Sequence, residues 1–181
     1  MIRDTTANYG LVTILLHWLS AISILVVMGL GAYVVYYGYY STNFLQYAHL
    51  HYGLGILIFF VMSLRLLWRL SSRTPVSLAS KTFTRISIAL IKYSLYALAF
   101  TVIISGYLIC TSEGQSINVL GIIEIPSLVL LETAELNIAG LTHKYLAWVF
   151  FIIILMHALA ALIHHFIVKD NTLRRMLKPG Q

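Results

Sequence analysis

Residues 142–170, THKYLAWVFFIIILMHALAALIHHFIVKD, define the class of protein. From Tyr145 to Val168 the chain carries no Asp, Glu, Lys or Arg, and about 20 mostly apolar residues are enough for a helix to cross a bilayer. Histidine recurs through this run, at positions 143, 157, 164 and 165. His143 and His157 stand 14 residues apart, four turns less about 40°, so a helix presents both on one face with roughly 21 Å between them along its axis.

The rest of the chain is of the same kind. Of 181 residues 60% are hydrophobic and 10% charged, with a mean hydropathy of +0.87. Soluble domains run about 45–50% apolar and about 25% charged. Residues 5–64 also lack any Asp, Glu, Lys or Arg. Apolar runs predict four spans, at about 11–37, 49–70, 88–111 and 142–168, within one all-α membrane bundle covering residues 1–181. The first run follows a single positive residue, Arg3, contains His17 and Trp18 and has no small-residue cleavage site, so it reads as a retained helix. The break Ser41-Thr42-Asn43 ends it, and Ser71-Ser72-Arg73-Thr74-Pro75 ends the second run. Residues 76–87 mix Lys81 and Arg85 with apolar side chains and are expected on the membrane surface. The apolar patch Ile117–Leu131, broken by Glu124 and Pro126, is expected in a membrane-hugging external loop over 112–141.

Charge orients this frame. With both termini cytoplasmic, Arg3, Arg65, Arg69, Arg73, Lys81, Arg85, Lys92, Lys169, Arg174, Arg175 and Lys178 fall inside, and Lys144 alone falls outside. The tyrosines 33, 36, 37, 39 and 40 at the outer end of the first span and Trp68 at the inner end of the second read as interfacial anchors. A net charge of +6 and a pI near 9.5 therefore reflect topology, and nucleic acid is not expected as a partner. The single cysteine, Cys110, excludes an internal disulfide, a four-thiolate metal site and a C-x-x-C-H haem attachment; its apolar surroundings make it a packing residue.

Ionisable residues inside spans are costly, which makes each intramembrane histidine a functional candidate. His51, at the outer start of the second span, matches the depth of His143; His17, in the inner part of the first, matches His157. Two bis-histidine pairs stacked through the bilayer are what two b-type haems require, and an iron with both axial positions filled favours electron transfer over oxygen binding. From spacing alone a metal-ion site or a proton pathway competes with this reading. Gly55 shares the face of His51 and leaves room for a flat macrocycle, or serves close helix packing. Arg65 returns to that face 14 residues on, as a propionate partner or as a snorkelling inner-end arginine.

Leu15-Leu16-His17-Trp18, the spacing His51-x3-Gly55-x9-Arg65 and the ending HALAALIHHFIVKDNTLRRM (157–176) resemble the bacterial cytochrome b561 family over nearly the whole chain. SGYLICTSEGQSINVLG (105–121) is similar to a branch with a longer external loop. The family's haem-ligand histidines fall on His17, His51, His143 and His157. His49 has no evident counterpart and is expected to face solvent on the outer side. The resemblance implies a four-helix cytochrome of the bacterial inner membrane that holds two non-covalent haem b groups and passes electrons between the quinone pool and a periplasmic-side redox partner.

His164, one heptad after His157 and about 10 Å nearer the cytoplasm, is placed to hydrogen-bond a ubiquinone carbonyl, with Lys81 or Arg73 completing the pocket; the alternative is a polar cap on the helix end. A related cytochrome of this kind is a superoxide:ubiquinone oxidoreductase, which makes that enzyme activity the second reading of function. The third is a non-redox membrane anchor or carrier with structural histidines. The outer segments, 38–50 and 111–144, carry Glu113, Glu124, Glu132 and Glu135 against Lys144, a balance that slows capture of an anion such as superoxide.

Overall fold

The computed structural model describes residues 1–38, 42–78 and 81–179; Tyr39, Tyr40 and Ser41 of the expected outer boundary lie outside the described residues. Four long helices carry the fold: α1 (Leu11–Tyr37), α2 (Phe44–Ser71), α3 (Thr82–Cys110) and α4 (Thr133–Ile163). All four are long and apolar enough to cross a membrane, and their outward faces bear side chains such as Ile22, Val35, Phe60, Leu90 and Ile152. Two three-residue strands, β1 (Ile117–Val119) and β2 (Ile123–Ile125), form an antiparallel hairpin between α3 and α4. The end of the bundle bearing this hairpin is termed the outer end, the opposite one the inner end.

Three helices begin earlier than hydropathy alone indicates. α2 starts at Phe44, because Gln46 and His49 cost a helix end nothing at the water interface. Residues 82–87, expected to lie along the surface, are the first turns of α3, with Arg85 donating to Thr82 Oγ1 (3.3 Å). α4 starts at Thr133: Glu132 and Glu135 form a reciprocal capping box that satisfies backbone N–H groups otherwise left bare, so the helix extends about nine residues before its apolar run. At its other end α4 widens into a π-helical turn, His164–Val168, closed by Lys169 in the left-handed region (φ 58°).

The patch expected to hug the membrane is a built cap. Leu120 and Gly121 both take positive φ (52° and 76°) in a turn over 119–122, where Ile122 N donates to Val119 O (3.0 Å), and Asn118 Oδ1 accepts from Gly121 N (2.6 Å). Ile117 and Val119 pack with Ile56 of α2, beside Tyr107 and Cys110 of α3. Tyr107 Oη donates to Pro126 O (2.8 Å) and accepts from Leu128 N (3.0 Å). The inner end is tied by the tail: Trp18 Nε1 donates to Met176 O (2.7 Å) and Arg175 to Val76 O (3.1 Å). Asp4 caps the start of α1 through Gly10 N (2.6 Å) and Thr13 Oγ1 (2.9 Å), and Trp68 Nε1 also reaches Thr13 (2.9 Å).

Packing divides the bundle into two helical hairpins. α1 lies chiefly on α2 and α3 chiefly on α4, with α2 against α3 joining them. Close backbone approach between α4 and either α1 or α2 is sparse. A central apolar layer of Ile24, Ile58, Met62, Ala99 and Phe150 draws one or more residues from every helix.

Candidate functional site

Each helix repeats its inward face every seven residues, which is near two full turns. On α1 the series is His17, Ile24, Gly31; on α2 it is His51, Ile58, Arg65; on α3 it is Lys92, Ala99, Gly106; on α4 it is His143, Phe150, His157. The middle member of every series belongs to the apolar core. The outer members are two histidines and two glycines. The inner members are two histidines and two cations.

In the outer layer the His51 and His143 rings face each other across the sparse gap between α2 and α4, with centroids 6.2 Å apart and planes at 88°. Each is pinned by the neighbouring helix of its own hairpin. His51 Nδ1–H donates to Val27 O (2.9 Å), and His143 Nδ1–H to Val102 O (2.8 Å), with Ser105 Oγ at 3.4 Å. Four residues after each accepting valine stands a glycine, Gly31 and Gly106. A Cβ on either would lie 2.8 Å from the Cε1 of the histidine seated against it, inside any real contact distance. The glycines thus uncover the helix carbonyl that orients each ring. With Nδ1 so engaged, Nε2 is the nitrogen left for another partner.

In the inner layer the His17 and His157 rings lie 6.4 Å apart at 63°, bridging α1 and α4. Arg65 reaches across from α2 and donates to His17 Nδ1 (2.7 Å) and to Ser20 Oγ (2.7 Å), with its guanidinium 5.5 Å from the centre of the Tyr96 ring. Lys92 holds the matching inner position on α3, and Arg69 lies one turn farther along α2 than Arg65. Arg69 Nη1 is buried with no hydrogen-bond partner. Among the described residues the one ion pair is His164 with Asp170, so no carboxylate answers these three cations.

The other expected site residues fall as follows. Gly55 faces open space, with nothing within 4 Å of where a Cβ would stand. His49 is exposed and lines a shallow outer cavity of about 440 Å³ with Gln46, Leu50, Asn118 and Leu120. His164 Nδ1 donates to Asp170 Oδ2 (2.6 Å) at the π-helical turn, and His165 stacks edge-on with Phe166. Partial desolvation pushes the Asp170 carboxyl up, but hydrogen bonds from Thr172 and His164 outweigh it and hold the carboxyl below its usual range. Arg73 and Lys81 are exposed, and no hydrogen bond or ion pair ties either to His164 among the described residues. Sequence reasoning missed Gly31, Gly106, Arg69 and Lys92. The shared signal was available as Val27-x3-Gly31 and Val102-x3-Gly106, and as heptad spacing from Lys92 to Ala99 to Gly106.

A membrane bundle with two half-buried pairs of facing histidines at different depths has the layout of an integral-membrane b-type cytochrome. The chain belongs to the prokaryotic cytochrome b561 family, which it matches over residues 8–179, and so is a haem b-binding membrane electron-transfer protein. It is 38% identical to cytochrome b561 homolog 2 of Escherichia coli (strain K12), over 96% of this chain and 93% of that one. It is 29% identical to the probable superoxide oxidase CybB of Yersinia pestis, over 94% and 96%, and 25% identical to cytochrome b561 homolog 1 of Escherichia coli, over 91% and 93%.

Proposed function

We propose that the chain holds two haem b groups, one between His51 and His143 and one between His17 and His157, and moves electrons between the quinone pool and a redox partner on the periplasmic side. The observation that carries this is the spacing of both pairs. Metal–imidazole bonds of about 2 Å on each side of an iron separate two ring centroids by roughly 6 Å, and the two pairs stand at 6.2 and 6.4 Å. Both pairs also bridge the gap where α4 stands off from α1 and α2, which is where a macrocycle has room.

The competing ion site lacks ligands: among the described residues no three His, Cys, Asp or Glu side chains come together, whereas a porphyrin brings four nitrogens of its own. At the inner level the orphaned Arg69 Nη1 and the unpaired Lys92 are suited to carboxylates of a propionate kind, together with Arg65. Arginine only donates, so with Arg65 on Nδ1 the neutral His17 ring carries its proton on Nε2; to hold haem through Nε2 as a neutral imidazole, His17 would carry that proton on Nδ1 and Arg65 would turn toward a propionate. When bound, the group would supply a one-electron couple, with His51 and His143 or His17 and His157 as the residues that would hold it. The protein's part is to fix the rings, keep water out with the Ile24–Phe150 layer and hold the pairs at set depths.

Orientation follows from charge, with the basic inner end and both termini in the cytoplasm and the glutamate-bearing hairpin outside. His164 and Asp170 then sit at the cytoplasmic surface, where an Nε2 backed by a carboxylate can take the proton that accompanies an electron to or from quinone. A superoxide:ubiquinone oxidoreductase is the second reading, favoured by the likeness to the Yersinia relative. The test is the visible spectrum of the purified protein and of its single His→Ala variants. His51→Ala and His143→Ala should remove one and the same low-spin component, and His17→Ala and His157→Ala the other. Loss of the same component from His51→Ala and His17→Ala would overturn the pairing.

A further inference from the structure

The inner and outer layers differ in charge far more than in geometry. Around His51 and His143 the neighbours are backbone carbonyls, Ser105 and two glycines. At the level of His17 and His157 Arg65 donates to His17, Lys92 holds the inner position of the α3 heptad series seven residues below the core residue Ala99, and Arg69 lies one turn beyond Arg65 on α2 with a buried Nη1. Arg65 is engaged by His17 and Ser20; Arg69 Nη1 has no partner, and no ion pair satisfies Lys92 among the described residues. Fold stability alone would not place three cations together in an apolar bundle, since buried charges without counter-charges destabilise the packed state. A fixed positive field favours whichever state of a nearby group carries the more negative charge, and for a redox centre that is the reduced state.

We infer that Lys92 and Arg69 set the redox poise of the protein, holding an electron more tightly at the His17/His157 level than at the His51/His143 level, so that electrons run from the outer face to the inner one. This rests on the two-haem reading above. The balance is one electron per transfer: a one-electron redox protein at the outer face gives up a single electron each time. Two such transfers with two protons from the inner side convert one quinone to quinol, so charge and protons balance. Lys92 and Arg69 ligate no iron: their positive charge at the inner level, beside whatever propionate they hold, favours the reduced state there.

The experiment is a redox titration of the purified holoprotein, followed by visible absorption. The wild type should titrate in two one-electron steps, and the step that survives in His143→Ala, or in His51→Ala if that variant is the better behaved, should be the higher of the two. Lys92→Gln and Arg69→Gln should each move the higher step to lower potential and leave the lower step in place. Lys92→Arg and Arg69→Lys keep the charge and should keep the wild-type value, which separates a field effect from a packing defect. The inference falls if the surviving step is the lower one, or if both Gln variants titrate as wild type with both centres loaded. A wild type that binds one haem overturns the two-haem reading itself, which is a different result, read from haem content before any titration.

Discussion

Gly106 and His143 belong to adjacent helices, yet the imidazole lies so close to the glycine that a single added methyl group would stand 2.8 Å from its Cε1. Gly31 and His51 repeat the relationship in the other helical hairpin. Gly106→Ala and Gly31→Ala should therefore cost about 1–3 kcal/mol of stability through overpacking and should perturb or empty the outer haem site while sparing the inner one. Haem content and the two low-spin components of the spectrum measure this. Gly29→Ala, two residues from Gly31 on an exposed side of α1 where a Cβ meets nothing within 4 Å, is the matched control and should leave both sites loaded.

His164 has two roles that separate cleanly by experiment. As a quinone-side proton carrier, His164→Ala should slow haem oxidation by added quinone by about a hundredfold, the lower end of the range for general acid–base catalysis, with both haems retained. Asp170→Asn should slow it less, because the ring keeps its Nε2 and loses only the carboxylate behind it. Stopped-flow spectra of the pre-reduced protein check this. Unchanged rates in His164→Ala would leave the pair as a helix cap and nothing more.

The same pair gives the tail a pH limit. The folded Asp170 carboxyl lies below its ordinary value of 3.8, so its contribution to stability is complete above that value and disappears as pH falls through the folded pKa. The C-terminal segment 171–179, tethered beside it, should become more open to proteolysis or hydrogen exchange only below about pH 4, the ordinary carboxylate range. In Asp170→Asn it should already be more open at neutral pH.

The charge of the outer face should set how fast an anion such as superoxide reaches it. The shallow outer cavity has no cation among its lining residues, the cap bears Glu113, Glu124 and Glu132, and Lys144 is drawn over the Tyr145 ring (5.7 Å). Reduction of the haems by superoxide should be slow and should accelerate as salt screens the repulsion, over about 8 Å at physiological ionic strength. Pulse-radiolysis rates at two salt concentrations decide it. A fast rate that falls with salt would favour the superoxide oxidase reading.

The membrane class and the four paired histidines were legible from the chain because both depend on one helix at a time: hydropathy marks a span, and a 14-residue spacing marks a face. What was not legible depends on which helices are neighbours. Gly31 and Gly106 matter only because α1 lies on α2 and α3 on α4, and nothing in a glycine announces whose ring it accommodates. Lys92 was counted toward topology, although it shares a heptad series with Gly106 and holds the inner position of that series. The hairpin escaped because strands of three residues are too short to show alternation. The early start of α4 was decided by two glutamates forming a cap, an interaction that hydropathy does not record.

The middle layer of Ile24, Ile58, Ala99 and Phe150 acts as a spacer whose thickness is set by backbone geometry, not by its side chains. Fourteen residues of helix rise about 21 Å whatever occupies position 150. Evolution can therefore soften or repack that layer, changing how firmly the bundle holds together, while the separation between the His143 and His157 levels stays the same.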